Sequence, residues 1–181
     1  MTKKFICSLL MLMLAVVYVN AQPSLTKLIQ AVDNSGSAQK LVSELQKSKY
    51  TKLKHEDDYC CQVWAKGCSA TYTTRKDGIG LYKFSKPKTA SANTISFRSW
   101  DNHVDGFSMT VFGSAVVKTK IQEIKTLGFK KMPVDPTDYY DPNYDTDVVD
   151  VWVYMRKDNP YVPLMIYEHK GGVYIIRYFM S

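Results

Sequence analysis

Six side chains recur in order at a fixed spacing, and this recurrence constrains the fold more than any single motif. Val42, Glu44, Leu45, Tyr50, Lys52 and Leu53 align with Ile121, Glu123, Ile124, Phe129, Lys131 and Met132 at an offset of 79 residues. Repetition at a fixed period marks a supersecondary unit used more than once. Downstream, Ser96-Phe97-Arg98-Ser99-Trp100 aligns with Ile175-Ile176-Arg177-Tyr178-Phe179 at the same offset, and Arg75-Lys76-Asp77 with Arg156-Lys157-Asp158 two positions wider. The sequence therefore predicts two halves, about 22–105 and 106–181, inside one globular domain.

Hydrophobic spacing supplies the elements. Leu25, Leu28, Ile29 and Val32 share one helical face, and Asp33-Asn34-Ser35-Gly36 breaks the pattern. Ser37 is the expected N-cap of a second helix with Ala38, Leu41, Val42 and Leu45 on its stripe. A third starts near Ser114, carries Val117, Ile121 and Ile124, and stops at Gly128, with Phe129 placed to fold back on Ile124. From Tyr59 to Phe112, short runs rich in Tyr, Thr, Phe and Ile read as a meander of strands, with turns expected at Asp77-Gly78 and Asp105-Gly106. Three more strands follow, Val148 to Arg156, Tyr161 to Tyr167 and Val173 to Phe179, the last turn falling at Gly171-Gly172.

Hairpin-length connections make the sheet antiparallel, since parallel strands need a crossover each time. The expected class is α+β: an antiparallel sheet with helices packed on one face, built as two tandem α-β-β-β repeats. In outline this is similar to the tandem α+β fold of secreted β-lactamase-inhibitor proteins, a resemblance of architecture that implies no activity.

The N-terminus predicts export. Lys3 and Lys4 precede an apolar run from Phe5 to Val19, and Val19-Asn20-Ala21 suits a cleavage site, so residues 1–21 read as a signal peptide and Gln22 as the mature start. The run of about fifteen residues is short for a bilayer core that needs roughly twenty. Cys7 lies near its start rather than at the cleavage point, which argues against a lipid anchor. The expectation is a secreted or periplasmic protein that does not span a membrane. Cleavage removes two lysines from a formal charge of +7. The remaining cations are scattered, so no nucleic-acid partner is expected.

Three cysteines remain after cleavage: Cys60, Cys61 and Cys68. Neighbours on a strand point to opposite faces, so one of Cys60 or Cys61 is expected to form a disulfide with Cys68 across a hairpin. Paired Cys-x2-Cys spacing is absent, which disfavours zinc.

The most distinctive segment runs from Lys131 to Asp150, where six aspartates interleave with Tyr139, Tyr140 and Tyr144 and three prolines. Asp141, Asn143, Asp145 and Asp147 alternate like the first ligands of a calcium loop, and calcium is the one cofactor the sequence suggests. The pattern breaks at Thr146, where such a loop needs glycine, and at Trp152, where it needs a bidentate glutamate. Tyrosines on a long loop also suit recognition, giving large contact area at low entropic cost, so Tyr139, Tyr140 and Tyr144 are the expected partner-binding residues.

No nucleophile elbow, zinc-protease helix or phosphate loop occurs. His55, His103 and His169 each stand beside charged or turn residues. The functional expectation is an exported binding or protein-interaction module for an unidentified protein or small ligand. The alternative is a hydrolase-like enzyme whose site is assembled from scattered residues.

Overall fold

A computed structural model describes residues 24–34, 37–56, 61–74, 78, 80–84, 93–141 and 145–180. The signal-peptide region, Cys60, the Arg75–Asp77 run, Asn143 and Tyr144 lie outside the described residues.

Three α-helices occur among the described residues: α1 (Leu25–Asp33), α2 (Ala38–Lys47) and α3 (Ser114–Thr126). Each buries the stripe its sequence spacing marks, including Leu28 and Val32 on α1, Leu41 and Leu45 on α2, and Val117 and Ile124 on α3. The caps differ from expectation. Ser37 makes no side-chain cap bond; instead Asn102 receives the Ala38 N–H on its carbonyl (3.1 Å) and the Gln39 N–H on its Oδ1 (2.9 Å). The first turn of α1 is closed by Glu123 of α3, whose Oε2 accepts from the Leu25 N–H at 2.6 Å. Both helix starts thus draw acceptors from distant parts of the chain, satisfying amide groups that a helix leaves unpaired.

The strands are β1 (Thr51–Glu56), β2 (Gln62–Lys66), β3 (Ala70–Thr74), β4 (Gly80–Phe84), β5 (Asn93–Trp100), β6 (His103–Phe112), β7 (Lys130–Lys131), β8 (Val148–Met155), β9 (Leu164–His169) and β10 (Val173–Phe179). Eight form one antiparallel sheet in the order β1-β2-β5-β6-β10-β9-β8-β7, and β3 pairs with β4 apart from it. The class is therefore mixed α+β. Both α2 and α3 are followed by four strands of the large sheet rather than the three expected. The extra strand of the second half, β7, is two residues long and runs into Pro133, so it leaves no periodic signal.

The turn between β5 and β6 falls at Asp101 and Asn102, with φ of 44° and 63°, not at Asp105-Gly106. Asp and Asn tolerate this left-handed region by bonding locally. Asp105 and Gly106 belong to β6, and the missing side chain of Gly106 leaves room for Phe179 of β10.

A single buried cluster joins Leu25, Leu28 and Val32, Leu41 and Leu45, and Val117 and Ile124 to Trp64, Ile95, Phe97, Phe107, Met109, Leu164, Ile166, Ile176 and Tyr178. The register places these strand residues side by side: Trp64 opposite Ile95, Ile95 opposite Met109, Met109 opposite Ile176, and Ile176 opposite Ile166. They share one side of the sheet because directly paired residues point the same way.

Candidate functional site

The opposite side of the sheet carries the alternate residues. Val153 pairs with Met165, Met165 with Arg177, and Arg177 with Ser108. The next row sets Val151 against Tyr167 and Tyr167 against Ile175. Met165, Tyr167, Ile175 and Arg177 are half-buried, and none belongs to the core cluster. The Arg177 guanidinium lies 5.0 Å from the centre of the Tyr167 ring, and the Tyr167 hydroxyl donates to the Met165 sulfur at 3.4 Å. At β8, Val151 and Val153 of this side are buried, whereas Val149, at the register shift near the start of the strand, is 55% exposed. The result is an apolar and aromatic face edged by one guanidinium, on a rigid sheet.

Two polar clusters lie on the core side. In the first, buried Tyr50 donates its hydroxyl to the side-chain oxygen of Asn93, Lys66 lies 5.7 Å over the Tyr50 ring, and Cys68 donates to the Asn93 carbonyl at 3.8 Å. Burial raises the Tyr50 hydroxyl and the Cys68 thiol above their ordinary values, and burial together with Lys49 lowers Lys66. In the second, Arg156 lies 5.0 Å over the Phe129 ring and 2.9 Å from Asp33, which also accepts from the Tyr178 hydroxyl at 2.9 Å. The two share a plan, a cation over the aromatic ring that follows a helix. In the second, the ion pair ties the end of α1 to the residue that follows β8, and the Tyr178 hydroxyl ties it to β10.

The acidic loop is only partly brought together. Asp145 donates its N–H to the Asp141 carbonyl at 2.7 Å, but Asp147 turns its carboxylate to His169, 3.1 Å from Nδ1. No group of three or more His, Cys, Asp and Glu side chains able to hold a metal occurs among the described residues; Asn143 is outside them. Asp135 caps a short 3-10 turn, Pro136–Asp138, by accepting from Thr137, which holds its carboxyl below the usual range. Tyr139 and Tyr140 are half-buried rather than presented to solvent; Tyr144 is not described.

The expected bond between Cys61 and Cys68 does not form. The segment between them is one strand, β2, not a hairpin. A strand rises about 3.3 Å per residue, which carries the two cysteines far beyond the roughly 7 Å that a disulfide spans between Cα atoms. Cys60 is not described.

Arg98 and Arg177, aligned by the 79-residue offset, are not equivalent. Arg98 of β5 pairs with Asp105 at 3.2 Å, whereas Arg177 of β10 stacks on Tyr167. The histidines are also dispersed: His55 stacks on Tyr72 at 4.2 Å, His169 pairs with Asp147, and His103 Nδ1 is buried without a hydrogen bond. The open groove between α1 and α2 is lined by Lys27, Gln30, Asn34, Lys40 and Glu44, with Ala31 and Leu41 on its floor.

What the sequence did not reveal is the second sheet face. Its trace is that β8, β9 and β10 are apolar on both sides: Val151 and Val153 alternate with Trp152 and Tyr154, Met165 and Tyr167 with Leu164 and Ile166, and Val173 and Ile175 with Tyr174 and Ile176. No helix among the described residues is long and apolar enough to cross a membrane. Compared with protein-family models, curated proteins and solved structures, the chain matches none.

Proposed function

We propose that this chain is an exported binding module, secreted or periplasmic, that recognises a protein through the sheet face carrying Met165, Tyr167, Ile175 and Arg177. The observation that carries the reading is the composition and place of that face. Tyr, Met and Arg are enriched at the cores of protein interfaces, and here they sit together on paired strands, on the side away from the core cluster. Sites on strands are held more rigidly than sites on loops. The loop with Tyr139 and Tyr140 leaves the sheet at the β8 edge, where Met132 donates to the Val153 carbonyl at 2.8 Å, and this reading takes it as part of the interface.

The same reading takes the chain to be two tandem repeats with their helices on one side of the sheet. The strand order supports it, because it reads as one four-strand series followed by its reverse. So does the register. Trp64 and Tyr154 both face the second residue of their edge strand, Ile95 and Leu164 pair with them, and Met109 and Tyr178 come next. The offset is thus 79 at the helices, ninety at β2 and β8, and sixty-nine from β5 and β9 onward. A longer β7–β8 connection and the β3–β4 insertion account for both changes.

Site-specific photocrosslinking tests the binding reading. A crosslinker at Tyr167 and another at Lys47 on the outer face of α2, each placed in the chain expressed in its native envelope, are compared. Adducts of one defined mass from Tyr167 and none from Lys47 are expected. Equal labelling from both positions, or none from Tyr167, removes the proposal.

A further inference from the structure

Four large apolar side chains are exposed among the described residues, and three of them stand at one end of the sheet. Trp100 is 76% exposed, Tyr161 84% and Met180 41%, whereas Val149, at 55%, is at the other end. The register fixes this grouping. Trp100 ends β5 opposite His103, the first residue of β6. Gly106 of β6 faces Phe179 at the end of β10, and Met180 comes next. Tyr178 of β10 pairs with Leu164, the first residue of β9, and Tyr161 lies three residues before it. The row therefore runs from β5 to β9, three strand spacings or about 15 Å.

Each of the three projects from anchored backbone. Asn102, in the turn after Trp100, accepts the Ala38 and Gln39 amides of α2. Val162, next to Tyr161, belongs to the core cluster. Met180 itself donates its N–H to the Asp105 carbonyl at 2.8 Å. Their exposed neighbours in the chain are polar: Asp101 and Asn102 after Trp100, Lys157 and Asp158 before Tyr161. A rigid protein partner draws its binding energy from packed pockets ringed by contacts that exclude water. Separate apolar tips on a polar surface suit instead a fluid that closes around each one. Trp and Tyr collect at the membrane–water interface, where the ring is buried and its polar atom stays wet. The charges of this end also balance. Segments 98–105 and 156–161 carry Arg98, Arg156 and Lys157 against Asp101, Asp105 and Asp158, so they favour no anionic partner.

We propose that this end seats the protein on a lipid surface, with Trp100, Tyr161 and Met180 entering the headgroup region of zwitterionic lipid. The strands then stand steeply to the membrane, and both sides of the sheet remain in water. The face at Tyr167 and Arg177 stays open to a protein.

Trp100 reports on the contact, because Trp64 is buried and Trp152 partly so. The purified chain is mixed with phosphatidylcholine vesicles, and sedimentation and tryptophan emission are read together. Co-sedimentation with a blue shift is expected, equal at about 0.1 M and about 1 M salt, since no charge drives it. Trp100→Ser/Tyr161→Ser/Met180→Ser is expected to partition about tenfold or more weaker, with an unchanged urea midpoint because all three side chains are exposed. Val149→Ser, at the other end, is expected to bind as wild type does. Trp100→Phe is expected to keep most of the binding and lose the blue shift. No co-sedimentation overturns the proposal, as does equal binding by the triple variant, or binding confined to phosphatidylglycerol vesicles and abolished by salt. A photocrosslinker at Trp100 that labels a protein in the native envelope, with no shift on vesicles, assigns this end to a protein contact and likewise overturns it.

Discussion

Lys49 ends α2 in the left-handed region at φ 62°, as Gly128 ends α3 at φ 83°. The bonds around them match: Tyr50 donates to Leu45 at 2.9 Å and Phe129 to Ile124 at 3.1 Å, while Lys49 and Gly128 donate to Gln46 and Lys125. Both helices close with the same motif, in which the chain turns back so that an aromatic residue re-enters the core. Only glycine adopts this conformation without steric cost. Lys49→Gly is therefore expected to raise stability by about 0.5–1 kcal/mol, read as a higher urea midpoint. An unchanged or lower midpoint would show that Lys49 is not strained there.

Glu123 joins two tasks: one carboxylate oxygen caps α1 through the Leu25 N–H, and the other lies 2.7 Å from the ammonium of Lys120, which is 4% exposed. Glu123→Ala is expected to cost about 2–3 kcal/mol through loss of the cap and of a buried ion pair. An apolar side chain at this buried position carries no charge that needs a partner. Lys120→Leu is therefore expected to stay within about 1 kcal/mol of wild type, and to recover part of the loss when combined with Glu123→Ala. Additive losses in the double variant would show that the two residues are not coupled.

The sequence revealed the helices and the strand-rich character because both rest on local periodicity. Leu25 to Val32, Ala38 to Leu45 and the stop at Gly128 are written within a few residues of one another. The large-sheet pairings are not local, and there the reading failed where the spacing shifts. Setting Arg98 against Arg177 assumed that an offset valid at Tyr50 and Phe129 holds to the end. The pairings set the two apart: Arg98 faces Gly106 and bonds Asp105, whereas Arg177 lies between Met165 and Ser108 and stacks on Tyr167. Asp105-Gly106 looked like a turn because Gly is the usual left-handed residue, whereas Asp101 and Asn102 serve. The sheet face at Tyr167 and Arg177 was legible only as strands apolar on both sides, not as a face left uncovered. An alternating strand names two sides, and only the partner strands and helices decide which one is covered.

Tyr178 gives the fold an alkaline limit. Burial first, and then its hydrogen bond to Asp33, hold its hydroxyl well above the ordinary tyrosine value; Tyr50 is raised mainly by burial. In the unfolded chain both ionise near pH 10. The unfolded state then releases protons that the folded state keeps, so their contribution is complete below about pH 10 and falls as pH rises beyond it. Tyr178→Phe is expected to cost about 1 kcal/mol at neutral pH and to flatten the decline above about pH 10, with the Tyr50 part remaining. Urea unfolding from neutral to alkaline pH checks this. Parallel curves for the variant and wild type would remove the assignment.

Gly106 tests the central pairing itself. It lies in β6 opposite Phe179, and a side chain there would place its Cβ 2.7 Å from the Phe179 Cα and overlap the ring. The obstacle includes backbone, so a change of rotamer cannot relieve it. Gly106→Ala must therefore push β10 away from β6, at an expected cost of about 2–3 kcal/mol, the scale of overpacking in a filled interior. The strain should be local to that end of the pair: Met180 donates to the Asp105 carbonyl at 2.8 Å just beyond the ring. Faster amide exchange at Met180 and Tyr178 is expected, with Val173 and Tyr174 at the far end unchanged. Phe179→Ala in the same chain should recover only part of the loss, because the Phe179 Cα stays in place; full recovery would mean that the ring alone is the obstacle.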